Sequence, residues 1–98
     1  MITMFAYKLC DVEYRFQTME REMQTGRGTL WLSPNSILIK SKKWWYVPCT
    51  HIKHMWEERG KIEIHLENDL RVEMVSKNKY VMKALYHFLE GVRCQKRA

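Results

Sequence analysis

No stretch of this chain stays apolar for the ~20 residues that a membrane-spanning helix needs. Its first residues, Met1-Ile-Thr-Met-Phe-Ala-Tyr-Lys8, lack the basic segment, apolar core and small-residue cleavage site of a secretory signal. A soluble protein is expected. Cysteine is scarce: Cys10, Cys49 and Cys94 are odd in number and widely spaced, which speaks against a secreted disulfide framework and for a reducing cytoplasm. Only two prolines and four glycines interrupt the chain, and no repeat, linker or low-complexity segment divides it. Signatures of chemistry are missing as well. The carboxylates are scattered, with no Ser-His-Asp set or nucleophile elbow among them. Cys49, His51 and His54 come nearest to a metal cluster, but on a strand the first two share a face while His54 points away, leaving His65 as the sole further candidate. No paired C-x-x-C or H-x-x-x-H element supports them. Neither an enzyme, a metal site nor a cofactor is expected.

What is present is the composition of a folded domain. The chain has 98 residues, 46% hydrophobic and 29% charged, too apolar for disorder and long enough to bury roughly 60–65% of its unfolded surface. A single domain spanning 1–98 is expected, with 93–98 as a tail lacking fixed structure. The net charge of +6 is uneven: residues 1–25 sum to −1, 26–60 to +4 and 61–98 to +3. The cations gather in Lys40-Ser-Lys42-Lys43 and in Arg93-Cys-Gln-Lys96-Arg97. An acidic partner fits such a surface, whether protein, phospholipid or nucleic acid.

Strands come first along the chain and one helix last. Phe5, Tyr7 and Leu9 alternate, then Val12, Tyr14 and Phe16 alternate in the opposite phase, which predicts two strands or one long strand bent by a bulge near Cys10-Asp11. Thr18 to Thr25 reads equally as a helical turn or a loop. Gly28, Leu30 and Leu32 then face one way and Thr29 and Trp31 the other. Ser33-Pro-Asn-Ser36 is a turn by composition, Ile37 to Lys40 returns, and Trp44 to Val47 forms a strand that stops at Pro48. His51 to Glu57 is a further strand, with Ile52 and either Met55 or Trp56 inward. Glu58-Arg-Gly60 reverses the chain into a hairpin. There Ile62, Ile64 and Leu66 on one arm and Leu70, Val72 and Met74 on the other share a buried face. Ser76 is placed to cap a helix whose apolar stripe is Val81, Leu85, Phe88 and Val92, with Ala84 and Leu89 beside it and Gly91 as a candidate stop. The order predicts an α+β fold of antiparallel strands closed by a C-terminal helix.

The series Gly28-Thr-Leu-Trp-Leu-Ser33, Ile37-Leu-Ile39, Trp45-Tyr-Val47-Pro48, Ile52, paired strands and a helix resembles the pleckstrin-homology-like superfamily over about residues 26–92. It is most similar to the GRAM-type modules, with their G-x-L-x-L-[ST] strand and I-P-x-x-x-I step. Here that step is Val47-Pro48-Cys49-Thr50-His51-Ile52, departing by one residue. The bent first strand and the meander also resemble the archaeal taxis adaptor family CheF, whose additional C-terminal domain has no counterpart in these residues. The resemblance implies an open barrel or two orthogonal sheets closed at one end by the helix, with binding at the open-end loops or beside the helix. For the adaptor family it implies a link between a response regulator and the archaellum motor.

Three binding functions follow. The first is recognition of a protein with an acidic face by Arg27, Trp31, Lys40, Lys42, Lys43 and Trp44. The alternation puts Trp31, and either Trp44 and Tyr46 or Trp45, opposite the core, and aromatics flanked by cations have the composition of interface hot spots. Tryptophans packed on the core are the commoner outcome, yet four of them leave room for one exposed anchor. Strand addition to an unpaired sheet edge is a further mode. The alternative is an anionic membrane met by Lys40-Ser-Lys-Lys-Trp-Trp-Tyr46, at ~1 kcal/mol per lysine, too little without a second signal. The K-x(n)-[KR]-x-R phosphoinositide pattern has no match, since Lys8 and Arg15 lead only to Phe16-Gln17. Third comes single-stranded nucleic acid stacked on Trp31, Tyr46 and His51. It is disfavoured by the missing RNP motif and by the acids Glu57, Glu58, Glu63, Glu67, Asp69 and Glu73.

Overall fold

The phase flip near Cys10 is a β-bulge in one continuous strand. In the computed structural model, which describes residues 6–17 and 23–96 without the side chains of 93–96, β1 runs Tyr7–Gln17 and pairs with β2, Met23–Ser33. Lys8 stands opposite Trp31 and Cys10 opposite Leu30, so Leu9 is the extra residue. Before it Tyr7 stands opposite Leu32 on the core side but is exposed beyond the edge of the core, and after it Val12, Tyr14 and Phe16 face inward and are buried. Phe5 and residues 18–22 of the expected turn or loop lie outside the described residues, whereas Met23 to Thr25 belong to β2.

β3, Ser36–Lys40, and β4, Trp44–Pro48, complete the first meander. A 3₁₀ turn, Cys49–His51, leads to β5, Ile52–Glu58, β6, Lys61–Leu66, and β7, Arg71–Val75. All pairs are antiparallel, and the strands form one seven-stranded sheet in the order β4-β3-β2-β1-β7-β6-β5. The seam is the C-terminal half of β1, where Glu13 to Gln17 pair with Val75 to Arg71. β4 and β5 end the order on opposite sides and do not pair, so the sheet is not a closed barrel. Yet only Cys49 to His51 separate them, a reach of about 15 Å at most. The sheet therefore bends far enough to bring these ends to a common corner. Two backbone bonds hold that corner: Cys49 N–H donates to Asn35 O at 2.9 Å and Glu67 N–H to His51 O at 3.0 Å. Arg59 and Gly60 both take positive φ, 51° and 85°, in the tight β5–β6 turn.

Helix α1, Lys79–Lys96, packs on β5, β6 and the 3₁₀ turn. Its cap is Asn78, whose Oδ1 accepts the Val81 N–H at 3.2 Å; Ser76, the expected cap, instead accepts the Asn78 N–H at 3.1 Å. The helix passes through Gly91, and the expected tail is helical as far as Lys96. The buried stripe is Met82, Leu85 and Leu89, with Val81, Tyr86 and Val92 partly covered, while Phe88 is 47% exposed and Ala84 faces out. The apolar arc of this helix is wider than the surface it covers. The sheet takes the side centred between Leu85 and Leu89, which leaves Phe88 at the rim. Beneath the helix, Leu30, Ile37, Ile39, Ile62, Ile64 and Met74 are fully buried. Among the described residues no helix is long and apolar enough to cross a membrane.

Candidate functional site

Two turns set the register of the β2–β3–β4 meander. Between β2 and β3 the Ser33 hydroxyl lies 2.6 Å from that of Ser36 and donates to Ser36 O at 3.1 Å, closing the Pro34-Asn35 turn. Between β3 and β4 the Ser41 N–H donates to Lys43 O at 2.9 Å. The register that results aligns Trp31, Leu38 and Tyr46 in one cross-strand row and Thr29, Lys40 and Trp44 in the next. Because side chains alternate across a strand, both rows lie on the face away from the core. Trp45 faces the other way, its ring centroid 4.6 Å from that of Phe16 and 6.2 Å from that of Tyr14. Of the two arrangements the sequence allows, Trp44 and Tyr46 are the outward pair.

The outer face thus carries an apolar cluster of its own. Leu38 is buried yet does not belong to the core; Trp31 and Tyr46 stand directly opposite it on the neighbouring strands. Trp31 is oriented by its own strand, the indole N–H donating to Thr29 Oγ1 at 2.9 Å. Its ring lies 6.0 Å from that of Trp44 at 59°, and Lys40 Nζ stands 5.5 Å from the centre of the Trp44 ring, within cation–π range. Trp44 and Tyr46 remain 53% and 59% exposed.

The site residues expected from sequence divide into two groups. Trp31, Lys40 and Trp44 meet on this face, with Lys42 and Lys43 exposed at the turn that ends it. Arg27 lies on the same face of β2 but beyond the last β3 partner, and it pairs with Glu13 of β1 at 3.3 Å. β2, β3 and β4 contain no Asp or Glu. Among the described residues no carboxylate pairs with Lys40, Lys42 or Lys43, so their field is uncompensated locally. Sequence reasoning gave Tyr46 to the lipid and nucleic-acid surfaces but not to the protein-contact set, and left Leu38 out of all three, although cross-strand alignment of the two hairpins would have found both. Lys8, opposite Trp31 on β1, is another exposed cation on this side.

Elsewhere the surface is less selective. A cleft of about 1100 Å³ opens where the bulged end of β1 parts from β7, between Cys10, Gly28 and Ser76. Its rim mixes Asp11 and Glu13 with Arg27, Lys77 and Lys79. Cys10 and Cys49 are free thiols, and burial pushes both above the ordinary thiol value, in Cys10 against a lowering hydrogen bond from Ser76. On β5 and β6 the His65 ring meets Trp56 edge-on at 4.6 Å. Its Nε2 is shielded and unbonded, with Glu63 Oε1 3.8 Å away. Among the described residues no three His, Cys, Asp or Glu side chains are grouped to hold a metal ion. Comparison with known proteins brought no match: no family model, curated protein or solved structure pairs with this chain.

Proposed function

We propose that this chain is a non-enzymatic cytoplasmic binding module, of the pleckstrin-homology-like kind that its strand order resembles, which recognises an acidic segment of another protein. A seven-stranded antiparallel sheet that is not closed into a barrel, with one C-terminal helix, supports that reading. The observation that carries the reading is the outer face of β2, β3 and β4, where Trp44 and Tyr46 stand exposed around a buried Leu38 beside Lys40, Lys42 and Lys43. Covering the exposed half of either ring removes roughly 100 Å² of surface, or about 2.5 kcal/mol. The lysines supply sign selection and steering. Two half-covered aromatics beside cations that no carboxylate among the described residues pairs with make an anchor of the kind that dominates interfaces.

Lipid is the second reading, supported by Lys42 and Lys43 at a turn directly before Trp44, where cations would meet headgroups and the indole would sit at the interface. The two are separated by changing Lys42 and Lys43 together to glutamate and comparing capture of partners from native extract with flotation on phosphatidylserine vesicles. A protein retained by the wild type, lost by the variant and independent of vesicles agrees with the protein reading. Flotation of the wild type alone replaces it with the lipid one. Capture unaffected by the double substitution rejects this face as the site. Binding of single-stranded RNA with a steep salt slope would move the assignment to nucleic acid.

A further inference from the structure

We propose that β4 is a docking edge, at which an extended acidic segment of the partner joins the sheet as an added antiparallel or parallel strand. The proposal rests on the protein-partner reading above and names how that partner binds. The sheet has two terminal strands, β4 and β5, and they are not equivalent. β5 is blunted: α1 packs on it, its pairing slips between Ile52 and His54, and it ends in Glu57 and Glu58. Bulges, covering helices and charges are the usual protections of a sheet edge. β4 pairs with β3 through five residues in unbroken register, so its other side presents a regular row of backbone donors and acceptors. The row ends at Pro48, which has no amide hydrogen to offer. The usable edge is Trp44 to Val47.

The side chains beside this edge specify the occupant. On the outer face an added strand would lay alternate residues against Trp44 and Tyr46, both about half exposed; on the inner face it would meet Trp45, which is partly open at the margin of the core. Charge decides between a partner and a second copy. Lys40, Lys42 and Lys43 gather at the start of β4 with no acid on β2, β3 or β4. A second β4 would bring only Trp, Tyr, Val and Pro to them. An acidic segment brings the missing charge, with carboxylates at the end facing Lys42 and Lys43 and apolar residues alternating along Trp44 to Val47. Backbone bonds then give affinity and the alternate side chains specificity.

The test uses a display library of short random linear peptides selected on the intact chain. The enriched peptides are then synthesised with backbone N-methyl groups on either of the two alternating sets of amides. The expected result is enrichment of acidic peptides that slow amide exchange at Trp44 to Val47. One methylated set should lose about tenfold or more in affinity and the other almost none, since only one set faces β4. Acidic peptides indifferent to both methylated sets would overturn strand addition while leaving the acidic-partner reading intact. Enriched peptides without acids, still binding after Lys42→Glu and Lys43→Glu, would overturn the acidic reading itself. A dimer whose Trp44 to Val47 amides are slow without peptide would give the edge to a second copy and overturn the proposal.

Discussion

Replacing Gly28 with alanine tests how closely β3 crosses β2 beneath the site. A Cβ at this position would lie 2.3 Å from the Lys40 carbonyl oxygen, 3.0 Å from its carbon and 3.4 Å from Ile39 Cγ2. The first contact is about 1 Å too short, and the atom in the way is backbone, so it cannot rotate aside. Lys40 must withdraw, loosening its pairing with Thr29 at the end of the β2–β3 ladder. Overpacking of this kind costs about 1–3 kcal/mol, and a weakened ladder bond adds about 1 kcal/mol. The smaller unfolded-state entropy of alanine returns about 0.4–1 kcal/mol. A net loss of about 2 kcal/mol remains, a fall in Tm of roughly 8–16 °C for a domain of this size. Gly91→Ala is the control, because nothing lies within 4 Å of its Cβ position. On an exposed helix surface it should stabilise by about 0.5–1 kcal/mol. Thermal unfolding followed by circular dichroism measures both. A Gly28→Ala protein that melts at or above the wild-type temperature would refute the close crossing, and with it the placement of Lys40 beside Trp44.

The phase of α1 is tested by two neighbours: Leu89→Ala should cost about 2–5 kcal/mol, as for any fully buried leucine, while Phe88→Ala should stay within about 1 kcal/mol. Urea unfolding giving the reverse order would restore the stripe expected from sequence. The buried Cys49 thiol and the partly buried Cys10 thiol predict an alkaline weakness. Because burial raises Cys10 and Cys49 above 9.0, the unfolded chain ionises first. Their stabilisation is complete below that value and is lost as pH rises through the folded pKa values. Cys10→Ser with Cys49→Ala should flatten the fall of the urea midpoint above about pH 9, and an unchanged pH slope would reject the assignment.

Strand positions were largely legible because each hairpin has one dry face, so Ile62, Ile64, Leu66, Val72 and Met74 announce their direction by alternation alone. The bulge at Leu9 was legible for the same reason, as a phase flip. Helix phase was harder. Met82, Leu85 and Leu89 compete with Val81, Phe88 and Val92 within one wide apolar arc, and which half turns inward depends on the shape of the sheet it meets. The site was half legible. Alternation placed Trp31 outward but could not choose between Trp44 and Trp45, because the choice depends on the cross-strand register set by the Ser41–Lys43 turn. Arg27 was grouped with the lysines by charge, yet its β-strand neighbour Glu13 comes from β1, and that long-range pairing leaves no mark in the local sequence. The reason for glycine at 28 was likewise hidden, since the obstructing oxygen belongs to Lys40.

The seam between Glu13–Gln17 and Arg71–Val75 joins positions nearly sixty residues apart. During synthesis, then, the C-terminal half of the first strand has to wait with one flank bare until residues 71–75 have emerged. Its closure pays a large loop entropy late, which slows folding toward the millisecond-to-second range of non-local β topologies. In a cell, that waiting flank is the place where a chaperone would find this protein.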